Sequence, residues 1–345
     1  MHTTTLTPRR RRAALAVASL AIAALALTAC GGQVQRGGDT DSAAGTPAAG
    51  SCEAPEQKLA VATGNSTGVY YVLGGAITNL LSAETPLRAT AAETGASVQN
   101  VEQLVNGDYD VAFSLADTAA DAVAGRGVFD GEQPIEALGV IHSNYTQVIV
   151  RKGANISSLE DMRGKTVSTG SPKSGTEVIA LRLLESAGLD SKTDVSAQRL
   201  DLSTSVDGLV NGTLDAIFWS GGLPTPNITE LFTTNADTVE FIDITPVLDT
   251  MQKMNPVYTR GEIPADTYGL DDDVPTIVVA NMLLVRDDFN DETACAIVRT
   301  VWSNEEALAE VHSAAEELDP ETALETDPVP LNAGAKRALE ELVAG

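Results

Sequence analysis

Leu104-Val105-Asn106-Gly107 runs on through Asp110 to Phe113-Ser114. About a hundred residues later Leu209-Val210-Asn211-Gly212 runs on through Asp215 to Phe218-Trp219-Ser220. Each stretch reads as a helix end, a glycine stop, an aspartate and a strand. A second echo has nearly the same offset: Thr63-Gly64 before Ser66-Thr67-Gly68, and Thr169-Gly170 before Ser174-Gly175-Thr176. Each of these turns follows a strand candidate and opens a helix candidate. Short matches also arise by chance in any chain of βαβ units. Their shared order, turn first and Leu-Val-Asn-Gly later, favours two α/β lobes built on one plan.

Outward from these stretches, Lys58 to Thr63 is predicted as the first strand, Ser97 to Val105 as a helix and Asp110 to Leu115 as the next strand. The chain is expected to leave the first lobe through Val148-Ile149-Val150 and to return through the apolar strand Thr276 to Val285. The first lobe is therefore discontinuous, residues 57–149 with 275–345, and residues 150–274 form the second. Ala294, Ile297, Val298, Val301 and Trp302 fall on one stripe at helical spacing, so Trp302 reads as core. His312, near the end of that pattern, reads as a surface or packing histidine.

Arg9 to Arg12 before the apolar run Ala13 to Leu27 form an export leader, too short for a confident membrane span. It ends in Leu27-Thr28-Ala29-Cys30, similar to the lipobox of bacterial lipoproteins. Residues 1–29 are expected to be a signal peptide and Cys30 a lipidated N-terminus, with an ordinary signal peptide as the alternative. Residues 30–56 read as the lipidated end and a flexible tether, since Gly, Ala, Ser, Thr and Asp dominate. With 22 Lys and Arg against 48 Asp and Glu, the formal net charge is −26. Nucleic acid and anionic lipid are thereby disfavoured as partners, and an anionic ligand has to be held by local donors. Of three cysteines, Cys52 and Cys295 remain once Cys30 is lipidated, an even pair expected to form a disulfide in an exported protein. With His2, His142 and His312 the sole histidines and no C-x-x-C, no metal site and no cofactor is expected.

Gly64-Asn65-Ser66-Thr67-Gly68 matches the G-x-S-x-G nucleophile elbow. Yet it follows the first strand candidate rather than a later one, which argues against a secreted hydrolase. Gly170 to Thr176 has the glycine spacing of a phosphate-binding loop, but Thr176 stands where the lysine belongs, so nucleotide hydrolysis is disfavoured. What survives is the physics of the turn: glycine admits close backbone approach, and a helix N-terminus presents unpaired N–H groups to an anion. Ser66, Thr67, Ser174 and Thr176 are either plain N-caps or, since two such turns would face one cleft, contacts to opposite sides of a small anionic solute.

Thr63-Gly64-Asn65-Ser66-Thr67-Gly68-Val69-Tyr70-Tyr71 with Leu73-Gly74-Gly75-Ala76, Glu93-Thr94-Gly95-Ala96-Ser97-Val98-Gln99-Asn100, Ser171-Pro172-Lys173-Ser174-Gly175-Thr176-Glu177, Gly221-Gly222-Leu223-Pro224 and Ile263-Pro264-Ala265-Asp266-Thr267-Tyr268 occur in this order. Together they resemble the TAXI family of TRAP-transporter receptors. The resemblance spans residues 58 to about 315. It implies a two-lobed periplasmic-binding-protein fold with an interlobe ligand cleft, no enzymatic activity, and docking on a TRAP membrane permease. The implied ligand is an amino acid or dicarboxylate such as glutamate. It further implies ligand contacts at the first turn, including Tyr70, at Thr94 and Ser97, at Ser114, and at Ser171, Ser174 and Thr176. Asn65-Ser66 and Trp219-Ser220 depart from the family's usual residues, so the ligand can differ from the family's; Trp219 is a candidate contact, and Tyr145, Trp219 and Tyr268 are the residues to test if the turns prove structural. A ligand-binding sensor for a membrane signalling partner remains the alternative function.

Overall fold

The first strand, β1 (Gln57–Ala62), leads through a glycine-containing turn into α1 (Val69–Glu84), then β2 (Leu87–Ala92), α2 (Ser97–Val105), β3 (Val111–Leu115) and α3 (Ala116–Val123). These coordinates are a computed structural model describing residues 52–345; the leader, Cys30 and most of the tether lie outside the described residues. A long strand, β4 (Ile135–Arg151), follows, and the pattern resumes with β5 (Thr166–Ser168), α4 (Gly175–Ser186), β6 (Ser196–Gln198), α5 (Leu202–Val210) and β7 (Ala216–Gly221). Next come α6 (Pro226–Asn235), β8 (Val239–Phe241), α7 (Leu248–Met254), β9 (Thr259–Ile263), α8 (Ala265–Tyr268) and a second long strand, β10 (Val274–Arg286). The chain closes with α9 (Asp291–Trp302), α10 (Glu305–Ala309), α11 (Pro320–Ala323) and α12 (Ala333–Ala344).

The strands join in the order β2-β1-β3-β10-β4-β7-β5-β6, with β8 and β9 pairing β4 and β10 from the side. At one end β1 lies parallel between β2 and β3; at the other β5 lies parallel between β6 and β7. The antiparallel pair β4 and β10 connects them. Val148 to Val150 thus lie near the end of a 17-residue strand, all three of them buried. The boundary expected after residue 149 falls inside it, because burial on both faces let β4 run on without a turn signal.

The echoed aspartates do the same work at both ends. Asp110 Oδ2 accepts the Ala60 N–H at 2.8 Å while its own N–H reaches Ala60 O at 2.9 Å. Asp215 Oδ2 accepts the Thr166 N–H at 3.0 Å and its N–H reaches Thr166 O at 2.8 Å. Each carboxylate therefore ties the first strand of its end to the third, and each preceding glycine, Gly107 and Gly212, has φ 79°, a left-handed turn that L side chains resist. Thr63 and Thr169 match as well, their backbone N–H groups bonding Ala92 O and Gln198 O.

Apolar faces then close on the sheet. Leu73, Ile77 and Leu81 of α1 pack with Phe113 and with the buried stripe of α9, where Trp302 is core as its spacing predicts. Cys52 is bonded to Cys295 of that helix with the Cα atoms 5.0 Å apart, tying the start of the described chain to its last third. Between α3 and α4 lies a buried ionic cluster. Arg182 donates to Asp117 at 2.9 Å, to Tyr258 Oη at 2.8 Å and to Asp121, which also receives Arg126 at 2.7 Å. No helix among the described residues is long and apolar enough to cross a membrane.

Candidate functional site: a cleft at the strand ends

A cavity opens where β1, β3, β5 and β7 end and α1 and α4 begin. That is the topological switch where open α/β sheets bind ligands, because the helix N-termini converge there with unpaired N–H groups. Val69 and Tyr70 of the first turn of α1 face it from one side, and Gly175 and Thr176 of the first turn of α4 from the other. The empty space, part of it open to solvent, is about 450 Å³.

Among the described residues, no Asp, Glu, Lys or Arg lines it. The polar groups on its wall belong to Tyr70, Ser97, Asn144, Ser171, Ser174, Thr176 and Ser220, with Trp219 and Leu115 as the apolar surfaces. Burial holds the Tyr70 phenol well above its ordinary pKa, so it is protonated throughout the physiological range. The Trp219 indole is fixed by donating Nε1–H to Thr225 Oγ1 at 3.1 Å, and its ring edge lies 3.4 Å from where a Cβ on Gly68 would stand. Glycine at 68 leaves the indole room beside the start of α1.

Of the residues singled out from sequence, Tyr70, Ser97, Ser171, Ser174, Thr176 and Trp219 come together on the lining. Ser174 is also the N-cap of α4, accepting the Glu177 N–H at 3.0 Å, so the cap and the cavity share one hydroxyl. Ser171 Oγ donates to Asn65 Oδ1 at 3.2 Å, joining the two turns directly. Thr176 Oγ1 accepts the Ser220 N–H at 3.2 Å.

The other four lie off the lining. Ser66 is exposed, its N–H donating to Glu93 at 3.0 Å, and Thr67 is half-buried beside it. The N-cap of α1 is Gly68, with no side chain in the capping role. Thr94 is turned inward to Thr63 O and Asn100, and Ser114 Oγ donates to Leu115 O at 3.1 Å. Tyr268 supports the wall from behind, its Oη accepting the Thr225 N–H at 2.9 Å.

Three polar lining residues were not among the candidate contacts: Asn65, Asn144 and Ser220. Ser220 is the telling one, since its buried Oγ has no hydrogen-bond partner among the described residues. An orphaned buried hydroxyl loses its water without compensation, at a cost of about 1–3 kcal/mol, and in a native fold that calls for an explanation. The backbone is strained here too. Ala96 and Lys173 have φ 75° and 62° without being glycine, and they stand opposite one another, with Gln99 N–H donating to Lys173 O at 3.0 Å.

The fold is that of periplasmic binding proteins. Its counterparts include the binding component of an ABC phosphonate transporter from Pseudomonas aeruginosa, at 12% identity, TM-score 0.52, 84% of this chain and 96% of that one. A periplasmic transporter structure matches at 13% identity, TM-score 0.51, 84% and 94% coverage, and a Bordetella bronchiseptica RB50 structure at 20%, 0.50, 83% and 89%. At residues 61–342 the sequence fits the model of the NMT1-like family, and the chain belongs to that family.

Proposed function

We propose that this protein is an extracytoplasmic solute-binding receptor that holds a small carboxylate-bearing solute in the cleft and presents it to a membrane transporter. The observation that carries the reading is the Ser220 hydroxyl, buried on the cavity wall without a partner among the described residues; a solute oxygen would complete it. An uncharged lining supports the same view, because two helix first turns and several hydroxyls can hold a carboxylate with no buried counter-charge to desolvate. Residues 57–149 with 275–345 and residues 150–274 act as the two lobes, β4 and β10 as the hinge, and closure brings Ser171 onto Asn65. The transporter is of the TRAP type and the receptor of the TAXI kind, on the sequence stretches that resemble it. Cys30 carries the anchoring lipid. A serine-hydrolase role has no support in the geometry, since Ser66 stands off the cavity lining.

Native mass spectrometry of the exported protein tests this. A bound carboxylic acid is expected, and Ser220→Ala should weaken its binding ten- to hundredfold by calorimetry, the range for a hydrogen bond to a charged group. A protein that carries no such solute, together with unaltered behaviour of Ser220→Ala towards every acid tried, would refute the receptor reading.

A further inference from the structure

Asn281 of β10 is wholly buried and reaches two residues of the cavity wall from behind. One side-chain atom lies 3.0 Å from His142 O and 2.7 Å from Asn144 Oδ1. A backbone carbonyl accepts and never donates, so that atom is the amide nitrogen and the other is the oxygen. The oxygen faces the Tyr70 hydroxyl, which is therefore committed to donating its proton to Asn281. By the same logic Asn144 turns its oxygen to Asn281 and its nitrogen away.

Tyr70 and Asn144 both line the cavity, and so one carbonyl, His142 O, sets what each can offer there. Tyr70 presents lone pairs; Asn144 presents N–H. We infer that Asn281 is a specificity-determining residue that fixes this polarity, so that the solute has to bring a hydrogen-bond donor, an ammonium or a hydroxyl, beside its carboxylate. The inference rests on the receptor reading and narrows it: amino or hydroxy acids fit, and plain dicarboxylates leave the Tyr70 oxygen facing an acceptor.

Matched acids that differ by one donor test it by calorimetry: L-glutamate against glutarate, and L-malate against succinate. In the wild-type protein the donor-bearing member is expected to bind at least about tenfold more tightly, the penalty for an unmet buried polar group. Tyr70→Phe keeps the ring and removes the acceptor, and Asn281→Leu frees the Tyr70 proton to turn round; in both the ratio within a pair should fall below about threefold. A merely structural role would lower both members equally and leave the ratio intact. Should Asn281→Leu fail to fold, Tyr70→Phe decides alone. Equal affinities in the wild type, an unchanged ratio in Tyr70→Phe, or a co-purified solute without a donor would overturn the inference while the receptor reading stands. Binding of no acid and no co-purified solute would end both.

Discussion

Gly175 and Ser97 meet across the cleft with no clearance: a Cβ on Gly175 would stand 2.7 Å from Ser97 Oγ and 2.4 Å from Leu115 Cδ1. Gly175 opens α4 and Ser97 opens α2, so the two ends of the sheet touch through a hydrogen atom. Gly175→Ala should wedge them apart. Affinity for the bound solute is expected to drop at least tenfold, with the melting temperature of the solute-free protein within a few degrees of wild type. Calorimetry and thermal melts together check this; a large fall in melting temperature would mean that the contact is permanent core and not a closing surface.

The Arg182 cluster makes the opposite kind of contact. Asp117 is fully buried and Arg182 nearly so, so removing the cation leaves carboxylates with too little positive charge. Arg182→Met should destabilise the fold by about 3–5 kcal/mol, and adding Asp117→Asn should restore part of that. Urea denaturation of the two single variants and the double variant measures the coupling. A loss below about 1 kcal/mol for Arg182→Met would place the cluster with ordinary surface pairs.

Acid should weaken the protein through His142. Burial pushes its imidazole down to about 4, against about 6.5 for a free histidine. Between those values the unfolded chain binds a proton that the folded one refuses, so stability is complete above about pH 6.5 and declines as pH falls towards 4. By pH 5 the loss from this residue is about 2 kcal/mol. Denaturation at pH 7 and pH 5 should show a smaller drop for His142→Gln than for wild type; equal drops would sink the assignment.

The parts of this molecule that were legible in its sequence are those written locally. A glycine that must turn left-handed and an aspartate that ties two strands leave a short signature, and so Ser97–Val105 was readable residue by residue and the strand after it to within one residue. The wall of the cleft was less so. Ser66 and Thr94 share composition with Ser174 and Thr176, and only the path of the chain after each strand decides which hydroxyl faces the cavity. Asn144 and Asn281 depend on how β4 pairs with β10, which no local pattern encodes. One trace did exist: Asn281 interrupts the apolar run Thr276 to Val285, and a polar residue inside a buried strand needs partners. Following that signal would have led to Tyr70 and Asn144.

Because Asp110 and Asp215 clasp their strands in the same way, the two ends of the sheet repeat one plan, and residues facing the cavity come as twins. Tyr70 and Thr176 each hold the second position of their helix, and Leu115 and Ser220 each the fifth position of their strand. The twins are unlike: Tyr70 and Leu115 bring a phenol and aliphatic carbon to one side, and Thr176 and Ser220 bring two aliphatic hydroxyls to the other. On the proposed receptor reading, two unlike walls set which way round a solute lies.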